Sequence, residues 1–558
     1  MATGNDAYKD ILRIKDARAL ILASAASQLG DWLYNAALLG YIFAATGSAT
    51  WVGAATICRL LPYALLGPVG GMVADRYDRR QVLLVGDTLR CLLMFALAGV
   101  VAGHGPVVVV IAVTALSSAA GTAERPAAMA LLPRLVGEAR IGPANALLHT
   151  VQDLGVVVGP AIGAVLLAVA PHSVAFIVNG FTFVASAALI STMKRRVSPT
   201  RGRANDGVRA QLRHGIRTVR RTPFVVPLFL VVAMAEFTYG AQTVQLVLYA
   251  NRRLDLGAAG YGYLLAAAGV GGLLSAVVNG RLAASTRVSG IVVVTGAMFC
   301  ATQLAYGQFG GVALALLVTF IGGAGFVSCE VVAETAVARV VASDVLGRVM
   351  GVIDALSVAA MVLGAAAAPA LVSATSLRTS LFILGGVALV LTLLCRAGLR
   401  GLDAVSRERA DLLASRVAVL ERLPITRGAP RVVLEQLASA AQICPLPAGV
   451  DIVVQGAPAH AFYAVIDGSV LVHRDGEDVA HLGPGEYFGE RGLLDNAPRN
   501  ASVTTELPSV VLRLEGDVML DALQSAPTML SAMDQPDYGR STQSSASATI
   551  VDDPTWVG

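Results

Sequence analysis

The chain has 558 residues, of which 55% are apolar and only 14% charged, and its net charge is +4. Soluble domains carry about 25% charged residues, so the balance points away from an ordinary soluble protein, and the small net charge says nothing about nucleic acid. Six cysteines (Cys58, Cys91, Cys300, Cys329, Cys395 and Cys444) form no C-x-x-C pair and no metal-ligand spacing, which argues against a disulfide framework or a metal site.

Residues 1–18 form a polar N-terminal segment, and the apolar run 19–45 that follows is too long for the core of a cleaved leader. A bilayer crossing takes about 20 apolar residues. On that measure the chain predicts twelve spans, near 19–45, 49–73, 82–103, 106–130, 141–169 and 173–192, then 224–250, 260–279, 288–307, 310–336, 348–373 and 378–395. The basic break 193–223 separates the two sixes, 19–192 and 224–400. Within it Val208, Leu212, Ile216 and Val219 make one helical stripe beside Arg209, Arg213 and Arg217, which suits either an amphipathic helix on anionic headgroups or a solvated connector.

With the N-terminus and the even-numbered loops on one side, 23 lysines and arginines fall there and three, Arg252, Arg253 and Arg378, on the other. The positive-inside rule then places both ends in the cytoplasm of a multi-pass plasma-membrane protein. Several ionisable residues lie inside the spans: Asp31, Arg59, Arg90, Glu124, Arg125, His149, Asp153, Glu236, Glu330, Glu334 and Asp354. Such residues are costly in lipid and mark ion or substrate pathways by default. A carboxyl group taken out of water can hold and release a proton near neutrality, as a proton-coupled carrier requires. Asp31 and Glu236, in the first spans of the two halves, are the favoured pair. The alternative for each residue is structural pairing, for example of Asp31 with Arg59.

After Cys395 the texture changes. A connecting helix is predicted over 401–418, extending toward Pro424, with Leu413, Val417 and Leu420 on one face. Short β-like runs separated by turn glycines then fill a module placed at 419–535, before a polar tail, 536–558, read as disordered. The expected fold is therefore an all-α membrane protein of twelve transmembrane helices in two six-helix halves, followed by a small α+β domain with a β-roll.

Two stretches carry resemblances. GGMVADRYDRRQ, residues 70–81, resembles the signature loop of the major facilitator superfamily, G-x-x-x-D-R-x-G-R-R, through Gly71, Asp75, Arg76, Arg79 and Arg80, with Asp78 in place of the second glycine. RPAAMALLPRLVGEARIGPANALL (125–148) and the glycines of LGVVVGPAIGAVL (154–166) are similar to the branch of macrolide and siderophore exporters. The resemblance covers 15–400. It implies a carrier in which Gly71 allows close helix approach and Asp75 pairs with arginines to lock one half against the other. It also implies proton-driven export of a small amphipathic molecule.

FGERGLLDNAPRNAS, residues 488–502, resembles the phosphate-binding cassette of cyclic-nucleotide-binding domains. The resemblance implies a site built from Gly489, Glu490, Gly492, Leu493, Leu494, Arg499, Asn500 and Ala501. Arg499 would take the cyclic phosphate, a short helix from Gly492 to Leu494 would point its N–H groups at it, and Glu490 would accept from the ribose 2′-hydroxyl. Asn500 departs from the small residues usual there, so cyclic AMP is favoured and cyclic GMP stays open. The helix from Asp517 ends near Asp534, shorter than the family's usual lid. The implied partners are the bilayer, a small-molecule substrate, protons and a regulatory cyclic nucleotide, with no covalent cofactor and no nucleic acid. No nucleophile–base set suggests an enzyme. The rival function is a transporter-like nucleotide receptor without net transport.

Overall fold

The computed structural model describes residues 4–194 and 224–525 apart from 138–139, 286, 342, 427–428, 430 and 496. The expected central-loop helix, the end of the lid and the tail lie outside the described residues. The chain divides into two compact units after Ser406.

In the first unit, eleven helices among the described residues are long and apolar enough to cross a membrane. The helix Lys15–Thr46, predicted as the first span, is not among them. Gln28, Asp31, Tyr34 and Asn35 dilute its apolar content, and much of its length is buried against other helices. It ends at Gly47, whose left-handed conformation (φ 61°) lets its N–H reach the Phe43 carbonyl. The expected fourth span is two helices, Val107–Gly121 and Glu124–Val136. The interruption places Pro126 in the first turn of the second piece, where its missing N–H costs least. It sets Glu124 and Arg125 at the start of the second piece.

Glycines set how closely the helices pack. Gly155, Gly159 and Gly163 of the helix Ile141–Val169 lie against the first helix, and a methyl group on Gly159 would fall 2.8 Å from the Leu29 carbonyl oxygen. The close approach expected at Gly71 belongs instead to Gly70, where a methyl group would meet the Thr122 carbonyl oxygen at 2.5 Å while Gly71 faces open space. One residue of helical phase, about 100°, separates a packed face from a free one.

The packing is asymmetric along the bundle. At the end away from the N-terminus, one apolar cluster joins both halves, including Leu38, Ile42, Phe176, Val247, Tyr306 and Leu381. Arg252 of the second half donates to the Gly47 carbonyl of the first at 3.0 Å. At the N-terminal end the clusters are separate: one holds residues between Ile11 and Met193, the other residues between Val225 and Leu402. The apolar core is therefore continuous between the halves at one end and separate at the other among the described residues.

A helix Leu402–Arg422 follows, close to expectation, and stops before Pro424. Asp403 caps the helix Val288–Gln308 by accepting from the Ser289 N–H (2.8 Å) and hydroxyl (2.7 Å). The second unit holds a further helix that was not expected, Arg431–Ala440. Eight strands follow: β1 (Gln442–Leu446), β2 (Asp451–Val453), β3 (Ala461–Asp467), β4 (Val470–Arg474), β5 (Glu477–Leu482), β6 (Tyr487–Phe488), β7 (Ser502–Thr505) and β8 (Ser509–Glu515). They form two antiparallel four-stranded sheets, ordered β1-β8-β3-β6 and β2-β7-β4-β5. Alternating residues Val453, Val465, Val470, Phe488 and Val503 cluster as an apolar core drawn from both sheets. Phe462, Ala464, Leu512 and Leu514 pack with Leu420, Leu437 and Met519 of the helices.

Candidate functional site

Two groups of ionisable side chains occupy the membrane unit. In the first half, Arg90 is buried, and its two terminal nitrogens donate separately to Asp31 and Glu124. Ser27 adds a 3.0 Å bond to the other Glu124 oxygen, and the Phe183 ring lies 4.1 Å from the guanidinium. Planar, bidentate geometry suits arginine to holding two acids at once. The suggested pairing of Asp31 with Arg59 is thus replaced by one with Arg90; Arg59 is half-buried and its Nε has no hydrogen-bond partner. One turn before Arg90, Asp87 is buried and accepts from the Ser186 hydroxyl at 2.6 Å. Asp87 was not singled out from the sequence, although an acid five residues inside a predicted span was legible there.

The second group lines a cavity of about 240 Å³. Glu236, Glu330, Glu334 and Asp354 of the second half face it, with Arg125 of the first. Glu236 is buried and lines the same cavity as Glu330. Like charges lining one cavity away from bulk water are costly to ionise together. Apolar residues such as Phe229 and Val232 complete the wall. His149 is exposed on its helix and belongs to neither group; the Asp153 side chain lies outside the described residues.

In the signature loop, Asp78 is the N-cap of the helix Arg79–Ala102 and accepts from the Arg80 N–H at 2.9 Å. Here an acid takes the place of glycine because its carboxylate satisfies an orphan helix donor. Arg80 donates to the carbonyls of Ile190 (3.0 Å) and Ser191 (2.6 Å), capping the end of the helix His172–Ser191 within the same half. Asp75 and Arg76 are exposed, while Arg79 is buried with Nε and Nη1 lacking partners.

In the second unit the cassette helix spans Glu490–Leu494, beginning two residues earlier than expected, with Gly489 as its N-cap at φ 93°. A side chain at Gly489 would be strained, and its Cβ would lie 2.6 Å from Arg499 Nη1. Arg499 is buried and donates from Nη1 to the Gly489 carbonyl (2.9 Å) and from Nη2 to that of Ala461 (2.6 Å). Its N–H bonds to Ala457 O and its carbonyl accepts from the Gly456 N–H, both at 2.8 Å. These bonds fix the guanidinium and occupy two of its five donors, leaving the rest for an anion. Burial pulls Arg499 below the ordinary arginine value, against the influence of Tyr463 and Glu490. Burial also pushes the Glu490 carboxyl up, against a backbone hydrogen bond and the nearby Arg491 and Arg499. Leu493 and Ala501 are buried, Gly492 packs against Ala459, and Leu494 and Asn500 are exposed. The Asn500 carbonyl accepts from Arg474 at 3.0 Å.

Residues 20–353, well over half the chain, match the model described as Major Facilitator Superfamily. The chain belongs to the major facilitator superfamily. Residues 444–526 match the Cyclic nucleotide-binding domain, so a transporter domain and a nucleotide-binding domain share one chain. The uncharacterized MFS-type transporter YfiS of Bacillus subtilis is 24% identical over 398 residues, 69% of this chain and 93% of that protein. Macrolide efflux protein A of Streptococcus pyogenes is 30% identical over 151 residues, 26% of this chain and 36% of that protein. The cAMP-dependent protein kinase regulatory subunit of Neurospora crassa is 34% identical over 97 residues, 17% of this chain and 25% of that protein. Among solved structures, the nucleoside transporter NupG shares the fold with a TM-score of 0.60 at 11% identity, over 69% of this chain and 99% of that one.

Proposed function

We propose that this protein is a proton-coupled exporter of a small amphipathic molecule, with twelve spans, both termini in the cytoplasm, and a transport rate set by a cyclic nucleotide, cyclic AMP being favoured. The observation that carries the transport reading is the cavity of about 240 Å³ to which both halves contribute, with four carboxyl groups and Arg125 on its wall. Parted apolar clusters at the N-terminal end and a joined one at the other describe a carrier open toward one side. With the basic residues inside, that side is the cytoplasm, where an exporter loads. Glu236 and Glu330 on the cavity wall supply a proton-holding pair beside the loading site.

The test is flux in proteoliposomes under an imposed pH gradient, with a labelled macrolide as the first probe, because one relative bears that substrate in its name. Metabolite comparison of overexpressing and deleted cells supplies the next probe if the macrolide is not carried. Glu236→Gln with Glu330→Gln should abolish gradient-driven flux and leave substrate exchange. Unchanged gradient-driven flux would contradict the coupling. A reporter fused at Gly558 that is active only outside the cytoplasm should stay silent.

A further inference from the structure

Asp87 is 3% exposed in the helix Arg79–Ala102, yet no cation is bonded to it among the described residues. Arg90, three residues on and on the same helical face, commits both terminal nitrogens to Asp31 and Glu124. The charged groups facing Asp87 are Glu124, Arg90 and Asp31, and its neutral neighbours are Ser186 and Cys91. Asp31 and Glu124 thus hold the one guanidinium bonded within this group, Asp87 stands beside it without an ion pair, and Arg59 lies by Tyr34. An uncompensated buried carboxylate is the most expensive way to close that count, whereas a protonated carboxyl group bonded to a serine hydroxyl closes it at little cost.

We propose that Asp87 is a second proton-carrying residue of the transport cycle, in the first half, and that Arg90 is its alternative counter-ion. In the state described here Asp87 holds the proton, and Arg90 belongs to Asp31 and Glu124. When the proton leaves Asp87 for water, the carboxylate formed competes for Arg90, whose Nε is without a hydrogen-bond partner, and one of the other two acids is released to take up a proton in turn. The cluster gains one negative charge when the proton leaves Asp87 for water and loses it again when the released acid takes up a proton, and the helices carrying residues 31, 87 and 124 are repositioned by the exchange. The inference rests on the proton-coupled reading, but its test is separate from the Glu236–Glu330 test.

The experiment is infrared spectroscopy of the full-length protein in lipid nanodiscs at neutral pH. Wild type should show a carboxylic-acid C=O band that Asp87→Asn removes and Glu236→Gln leaves in place. A band unchanged by Asp87→Asn means that Asp87 is ionised and overturns the proposal, whatever the second-half variants do. If Asp87→Asn does not fold, labelling of wild type with a hydrophobic carbodiimide, which attacks protonated carboxyl groups, decides. Peptide mapping should find Asp87 modified in preference to Asp31 and Glu124, with modification lost as the pH rises. Equal modification at Asp31 or Glu124 would overturn the assignment.

Discussion

Arg499 and Arg90 are both buried arginines held by oxygen acceptors, but their partners give them opposite tasks. Arg499 bonds to the carbonyls of Gly489 and Ala461, and no carboxylate is hydrogen-bonded to it among the described residues, which leaves its remaining donors to an anion. Arg499→Ala should cost about 1.5–3 kcal/mol of cyclic AMP binding, roughly ten- to a hundredfold in affinity by calorimetry on the full-length protein. Glu490 adds a pH dependence. Its carboxylate is the form that accepts a ribose hydroxyl, and burial holds its protonation above the usual glutamate range. Its contribution should therefore be complete on the alkaline side of that raised value and be lost as the pH falls through it, earlier than for an exposed glutamate; Glu490→Gln should flatten the profile. Arg90, by contrast, is spent on Asp31 and Glu124. Arg90→Met strands two acids, and removing one partner of a buried pair costs about 3–5 kcal/mol. A lowered Tm that Asp31→Asn with Glu124→Gln restores would establish the clamp.

Among elements, the helices Lys15–Thr46 and Ile141–Val169 show how much the sequence disclosed. The four-residue spacing of Gly155, Gly159 and Gly163 was visible, and the structure shows what it serves, a backbone-to-backbone seam with Gln28–Leu33. Gly159→Leu overfills that seam. Such overpacking typically costs about 1–3 kcal/mol, to be read as a fall in Tm in detergent. Apolar runs, basic loops and the cassette motif were legible because each is local in the chain. The Arg90 clamp was not, because it joins residues 31, 90 and 124, and only helix packing decides whether Arg59 or Arg90 reaches Asp31. The choice of Gly70 over Gly71 likewise depends on helical phase and crossing geometry rather than composition. The helix Leu402–Arg422 is an uninterrupted element without a Gly/Ser spacer. A flexible insertion after Ser406 should preserve nucleotide binding and basal flux while removing the effect of one on the other.

For the whole molecule, a transporter domain and a nucleotide-binding domain on one chain raise the question of what the nucleotide changes. Binding alters transport only if it favours one carrier conformation over another. A coupling of about 1–3 kcal/mol would alter apparent activity roughly 5- to 150-fold. Linkage then requires that the transported substrate shift nucleotide affinity by the same factor. The direct measurement is probe flux in proteoliposomes with and without cyclic AMP on the face bearing the C-terminus, for wild type and for Glu490→Ala/Arg499→Ala. Wild-type flux should change several-fold with the nucleotide, and flux of the double variant should not change. Equal flux in all four conditions, with the probe carried, would contradict regulation by the nucleotide.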